Sequence, residues 1–337
     1  MHISTLIADG TFSVIFYQLL IFVSSIIILS RASQMVVKHA VGIARLTKME
    51  ELVIGVVLLS MTTTLPELAV SFSAITSGNV GVSIGNLFGS NVTNLGLVLA
   101  IPAIISPLAI KRGTFEKLPT ILFMSSIIPL AFLAMKELSK FIGIVLIGAF
   151  VFFVIYSTKK KITFKFPKNR KKSKGLLKIL IMPPKFYKVM FLLLLAIFIV
   201  ILSSNFVVSS ASSLSGMMGI DESVIGATVI AMGTSLPELS IALTAVKSKH
   251  HKLAIGNAIG SCLTNITLIL GIVLLASPVV INPEIFSTLL FFVIGITMVA
   301  WYFFTTGRKL DRTEGIVLLF IYLTFLISTF GIQISLI

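Results

Sequence analysis

The sequence predicts an all-α polytopic membrane protein whose ten transmembrane helices form two inverted five-helix repeats. Three observations predict it: a strongly apolar composition, apolar stretches separated by short polar breaks, and a pair of motifs that occurs twice at a constant offset.

Composition comes first. Of 337 residues, 56% are hydrophobic and 12% charged, and the mean hydropathy is +1.09. Soluble domains carry roughly 25% charged residues. A bilayer core of about 30 Å takes about 20 apolar residues per helix, and about ten such stretches are present. Continuous apolar runs such as Phe191 to Leu202 exclude a closed β-barrel, whose strands alternate. The first stretch follows Met1-His2-Ile3-Ser4 without a basic run or a small-residue cleavage site, so it is expected to stay as a helix. The single cysteine, Cys262, excludes an intrachain disulfide and a cysteine metal cluster, and its expected role is that of a small buried side chain.

The net charge of +15 comes largely from one loop, because 12 of the 27 Lys and Arg residues lie between Lys159 and Lys188, where there is no acid. Such a loop beside membrane spans marks the cytoplasmic side and meets anionic lipid; no nucleic-acid partner is expected.

The spans read as 12–45, 51–76, 80–106, 119–135 and 139–157, then 189–217, 222–246, 253–277, 284–305 and 314–335. The halves are therefore 1–158 and 189–337, joined by the basic loop 159–188. With that loop cytoplasmic, Arg31 to Lys48, Lys111 to Lys117, Lys247 to Lys252 and Arg308 to Arg312 share its side, and 25 of the 27 basic residues are inside. Asp221 and Glu222 mark an external turn, and both termini are expected outside the cell membrane.

The duplication is read directly. Residues 60–72, Ser-Met-Thr-Thr-Thr-Leu-Pro-Glu-Leu-Ala-Val-Ser-Phe, match 231–243, Ala-Met-Gly-Thr-Ser-Leu-Pro-Glu-Leu-Ser-Ile-Ala-Leu, at an offset of 171. Residues 84–96 match 255–267 at the same offset. The repeated segments are 51–106 and 222–277. Five spans separate equivalent positions, so the second copy crosses the membrane upside down.

Glu67 and Glu238 are the acids placed deep within spans, where an acidic residue costs about 2.5 to 3.5 kcal/mol even on the lenient scale. Each follows a proline, Pro66 or Pro237, that cannot bond back to the carbonyl of Thr62 or Gly233. The helices are expected to break there, and the freed carbonyls are oxygen ligands for cations. Spacings of four put Thr63 with Glu67, Thr234 with Glu238, Ser90 with Asn94, and Ser261 with Asn265 on common helix faces. These faces supply oxygen only, which suits hard cations. Gly85 with Gly89, and Gly256 with Gly260, let the third and eighth spans approach the broken helices. A proline or a GxxxG step alone is commonly architectural; two buried acids in equivalent settings are not. His2, His39, His250 and His251 are terminal or interfacial and receive no role.

At these motifs the sequence resembles the calcium/cation antiporter superfamily, in its prokaryotic Na+/Ca2+ exchanger branch. That family's repeats read approximately Gly-Thr-Ser-Leu-Pro-Glu and Gly-Asn-x-x-Gly-Ser-Asn. Here they stand as Thr62 to Glu67 with Gly85 to Asn94, and Gly233 to Glu238 with Gly256 to Asn265. The resemblance implies ten helices, the first and sixth sliding across the bundle, with ions held between the second, third, seventh and eighth. It implies Ca2+ shared by Glu67 and Glu238 with oxygens of Thr63 and Thr234. It implies an inner Na+ position at Thr64, Ser90 and the Ser60 carbonyl, and an outer one at Ser235, Ser261 and the Ala231 carbonyl. Asn94 and Asn265 lie between. The family's prokaryotic members typically carry Asp where this chain has Asn265, so the site has two carboxylates in place of three, and fewer Na+ per Ca2+ are expected. The implied activity is secondary active Na+/Ca2+ antiport by a chain working as a monomer, with Ca2+ and Na+ as transported ions and no cofactor. A Ca2+(cation)/H+ antiporter and, more remotely, a cation channel are the alternatives. No catalytic motif is present, so no enzyme is expected.

Overall fold

Apolar runs without an interior proline give the longest helices. A computed structural model describes residues 11–46, 63–109, 122–123, 126–134, 137–157, 184–249, 251–277, 279–280, 283–306 and 309–336. Helix α1 is Thr11–Leu46, and α2, Leu65–Thr76, is the described part of the second predicted span. Helix α3 runs Val80–Thr93, through a π-helical turn at Asn94–Leu99, into Ala100–Ile105. Helices α4, Ile127–Ala134, and α5, Lys140–Ser157, complete the first half. In the second half α6 is Pro184–Met218, α7 is Glu222–Thr234 with a π turn at Gly226–Ile230, and α8 is Leu236–Lys247. Helix α9 is His251–Thr264, continued through a π turn at Asn265–Ile269 to Leu270–Ala276; α10 is Pro283–Thr306 and α11 is Arg312–Leu336.

Six of these helices are long and apolar enough to cross a bilayer, and α7 with α8, meeting at 40°, makes a seventh. Every predicted span thus has a helical counterpart among the described residues, with α2, α4 and α5 shorter than the rest.

Two short ribbons fix which ends share a side. Strand β1, Leu108–Ala109, pairs antiparallel with β4, Lys309–Leu310, and β2, Glu137–Leu138, pairs with β3, Val279–Val280. Paired strands lie together, so an even number of crossings separates them. Between β2 and β3 stand α5, α6, α7 with α8, and α9, which requires the bent pair to count as one crossing. The ribbons are themselves related by the repeat, since each joins the end of α3 or α9 to a loop of the other half.

The molecule is polar inside and apolar outside, as lipid demands. Phe141, Phe291 and Ile327 are more than 70% exposed, whereas Glu67, Asn86, Ser90, Asn94, Glu238, Ser261 and Asn265 are fully buried. Two apolar clusters surround the polar centre. One is built on α3, α9, α10 and α11. The other joins α1 to α6 through Phe22, Ile26, Leu29, Ala196, Val200 and Val207, with Val70 and Ala74 of α2 against it.

Glycine sets how closely α3 meets α7. A methyl on Gly89 would lie 2.1 Å from the Ala227 carbonyl oxygen, and one on Gly85 would lie 2.5 Å from that of Ser223. The expected close approach of the third span is therefore present. The equivalent partners in the other copy, Leu52 and Val56, lie outside the described residues.

Candidate ion site

Both predicted breaks have the same local form where they are described. Thr64 (φ −85°, ψ 10°) and Ser235 (φ −83°, ψ 4°) leave the helical region, and α2 and α8 begin again with Leu-Pro-Glu. Proline suits the first turn because its missing N–H would be unsatisfied there anyway. Each glutamate sits in the first turn, where the helix dipole favours negative charge.

Cross-copy contacts then close the site. Thr63 Oγ1 donates to Asn257 Oδ1 (3.4 Å) and lies 3.5 Å from Ser261 Oγ. In mirror fashion Thr234 Oγ1 donates to Asn86 Oδ1 (3.2 Å) and lies 3.5 Å from Ser90 Oγ. Asn86 Nδ2 donates to the Glu67 carbonyl (3.2 Å) and Asn257 Nδ2 to the Glu238 carbonyl (3.4 Å), so each asparagine ties its own broken helix to the opposite one. The carboxylates are held differently. Glu67 Oε1 accepts from Ser235 of the other copy (3.3 Å), and Glu238 Oε1 accepts from Ser261 of its own (3.4 Å).

These contacts are longer than the 2.7–2.8 Å typical of O–H···O bonds. Glu67 Oε2, Glu238 Oε2, Asn265 Oδ1 and both polar atoms of Asn94 are buried without a hydrogen-bond partner in the protein. Leaving such atoms unsatisfied costs about 1–3 kcal/mol each, so a cation that ligates the oxygens is favoured. Among the described residues no three His, Cys, Asp or Glu side chains cluster, so the pocket's formal charge comes from the two glutamates.

The sequence-derived residues can now be located. Glu67, Thr234, Ser235 and Ser90 join one contact network through Asn86, and Glu238, Thr63 and Ser261 join a second through Asn257, each network drawing on both copies. Thr64 is buried at the first break, and Asn94 and Asn265 each open a π turn, the kind of bulge that recurs at functional sites. The Ala231 carbonyl accepts from Ser235 N (3.1 Å) and lies 3.3 Å from Thr234 Oγ1. Ser60 lies outside the described residues. Asn86 and Asn257 join these contacts as well, and their signal in the sequence is the repeated Gly-Asn pair. A polar cavity of about 670 Å³, lined by Ser77, Asn79, Asn205 and Ser212 among others, opens where α2 turns into α3 beside α6.

Inverted repeats, broken helices and a buried oxygen-lined pocket define a membrane ion transporter of the alternating-access type. A family model described as sodium/calcium exchanger protein matches residues 17–159 and 188–331, and the chain belongs to that family. It is similar to the sodium/calcium exchanger MaX1 of Methanosarcina acetivorans, 30% identical over 345 residues that cover 93% of this chain and 98% of that protein. It is also similar to the membrane protein MJ0091 of Methanocaldococcus jannaschii, 28% identical over 302 residues covering 90% and 94% of the two chains. Among solved structures, the sodium-calcium exchanger NCX_Mj soaked with 100 mM Na+ and 10 mM Sr2+ matches with a TM-score of 0.62. Its identity is 26%, over 92% of this chain and 97% of that one.

Proposed function

We propose that this protein is a secondary active antiporter that exchanges Ca2+ for Na+ across the cell membrane, at the pocket between Glu67 and Glu238. The observation that carries the reading is the mirrored network of oxygens around two buried carboxylates. Two negative charges in low dielectric require compensation, and one Ca2+ or two Na+ supply it. The ions compete for the same oxygens: Glu67 and Glu238 with Thr63 and Thr234 for Ca2+; Thr64, Ser90 and the Ser60 carbonyl, and Ser235, Ser261 and the Ala231 carbonyl, for Na+. Asn94 and Asn265 contribute neutral amides between them. Their abundant hydroxyls favour Na+ over H+ as the counter-ion, because a proton needs no such cage.

Alternating access falls to α1 and α6. They pack along each other through one apolar cluster, apart from the core built on α3 and α9. The pair can slide on a smooth surface of Ala, Val and Ile while the core keeps its shape. Ile26 of α1 rests on Gly233 beside the second break, where a methyl would lie 2.7 Å from Ile26 Cδ1. A shift of α1 therefore uncovers or closes that end of the pocket.

Both termini are assigned outside and the basic loop inside. This agrees with the ribbon of β1 and β4, which joins the two loops holding Lys111 to Lys117 and Arg308 to Arg312.

The test is 45Ca2+ uptake into proteoliposomes driven by an outward Na+ gradient with a protonophore present. Uptake that persists supports Na+ exchange; uptake driven by a pH gradient and lost with the protonophore supports proton antiport instead. Because Asn265 removes a third carboxylate, fewer than three Na+ should move per Ca2+. Reversal potentials read this ratio, and Asn265→Asp should move it toward three.

A further inference from the structure

Asn91 and Cys262 hold equivalent places in the two copies, 171 residues apart, and they touch. Asn91 Nδ2 donates to the Cys262 carbonyl oxygen (3.3 Å), and Cys262 Sγ faces the Asn91 carbonyl oxygen at 3.9 Å. Equivalent residues in contact lie beside the pseudo-twofold axis, so α3 and α9 cross here. Asn91 also reaches the pocket, because its Oδ1 accepts from Asn265 Nδ2 (3.3 Å). Asn91, Cys262 and Asn265 are all buried, and Asn265 Oδ1 has no hydrogen-bond partner in the protein.

The orientation of these amides follows in steps. A backbone carbonyl can only accept, so the edge of Asn91 facing Cys262 must be its NH2. The other edge of Asn91 is then the oxygen, which also only accepts, so Asn265 must turn its NH2 toward Asn91. Asn265 Oδ1 is left on its remaining edge. A cation ligates the oxygen of an amide and is repelled by its NH2.

From this geometry we propose that Asn91 is a positioning residue, fixing which edge of the Asn265 amide meets the ion by relaying the direction of the Cys262 carbonyl. The proposal rests on the reading of the pocket as an ion site. It separates the two copies. Across the axis the side chain equivalent to Asn91 is the Cys262 thiol, which is turned to a backbone carbonyl, and Asn94 has no hydrogen-bond partner on either polar atom. The pocket therefore holds one amide of fixed direction and one free to turn.

Asn91→Leu keeps the size and removes both edges. In proteoliposomes of the full chain, the half-saturating Ca2+ for uptake should rise about tenfold, the scale of one lost ligand. Asn265→Ala should give a similar rise. Adding Asn91→Leu to Asn265→Ala should give no further rise, because Asn91 acts through Asn265 alone. Asn91→Thr, whose hydroxyl can donate to Cys262 and accept from Asn265 together, should stay within about threefold of the original. If Asn91→Leu fails to fold, Asn91→Ala carries the same cycle. Additive losses in the double variant, or unchanged affinity in the single one, overturn the proposal. The reading of the site fails separately, through absence of Na+-driven Ca2+ uptake in the unaltered chain, and the proposal would fall with it.

Discussion

Position by position, the two copies of the repeat agree at the threonine and asparagine contacts and differ elsewhere, beginning with what each carboxylate accepts. Thr63 and Thr234 each donate to the asparagine of the opposite copy, and those asparagines each hold the carbonyl of their own glutamate. One shell further out the match ends. Asn91 stands opposite Cys262, Gly96 is equivalent to Thr267, and Thr62 is equivalent to Gly233. Gly96 leaves room for Tyr322, since a methyl there would lie 2.5 Å from Tyr322 Cβ. An antiporter with identical halves would weigh its two access states equally. Here the threonine and asparagine contacts are kept equal, and the surroundings carry the differences that can set one state against the other.

Sharpening that comparison starts with the largest effect. Gly89→Val should yield no monodisperse protein, because the Ala227 carbonyl already fills the space beside Gly89. Gly260→Val should fail equally if the copies pack alike; size-exclusion profiles of the two variants decide this, and a well-behaved Gly260→Val breaks the symmetry argument. Next in size are Asn86→Leu and Asn257→Leu. Each removes a cross-copy contact and a clamp on a glutamate carbonyl, and half-saturating Ca2+ should rise at least about tenfold for both. Unequal effects would show that one copy dominates binding.

The smallest effect lies at the helix ends. Gly78 (φ 83°) and Lys249 (φ 60°) occupy equivalent left-handed positions after α2 and α8. Such a conformation costs a non-glycine residue about 1 kcal/mol. Lys249→Gly should therefore raise thermal stability in detergent by up to about 1 kcal/mol, leaving exchange unchanged. No gain would mean that the lysine side chain stabilises the turn through other contacts.

Much of this architecture is legible in the sequence because hydropathy and duplication are local signals. Hydropathy predicts an end at 106 for the third span, where α3 ends at Ile105, and 222–246 for the seventh, where α7 with α8 spans 222–247. The equivalence of Glu67 and Glu238 is read from proline spacing and the offset alone. Other features depend on what faces what. The π turns at Asn94 and Asn265 follow no residue-type rule, and the roles of Asn86, Asn91 and Asn257 need the opposite copy in place before a partner can be named. The two-residue ribbons are too short for any alternating pattern, and their strands come from different halves of the chain.

The central claim is that two carboxylates, one from each copy, jointly hold the transported ion. Na+-gradient-driven 45Ca2+ uptake by Glu67→Gln and by Glu238→Gln, each confirmed as folded and reconstituted, tests it most directly. Both substitutions keep the size of the side chain and halve the charge of the pocket, and each alone should reduce uptake by at least about a hundredfold, the scale of losing a buried charged ligand. Exchange that survives either substitution at near its original rate would contradict the account.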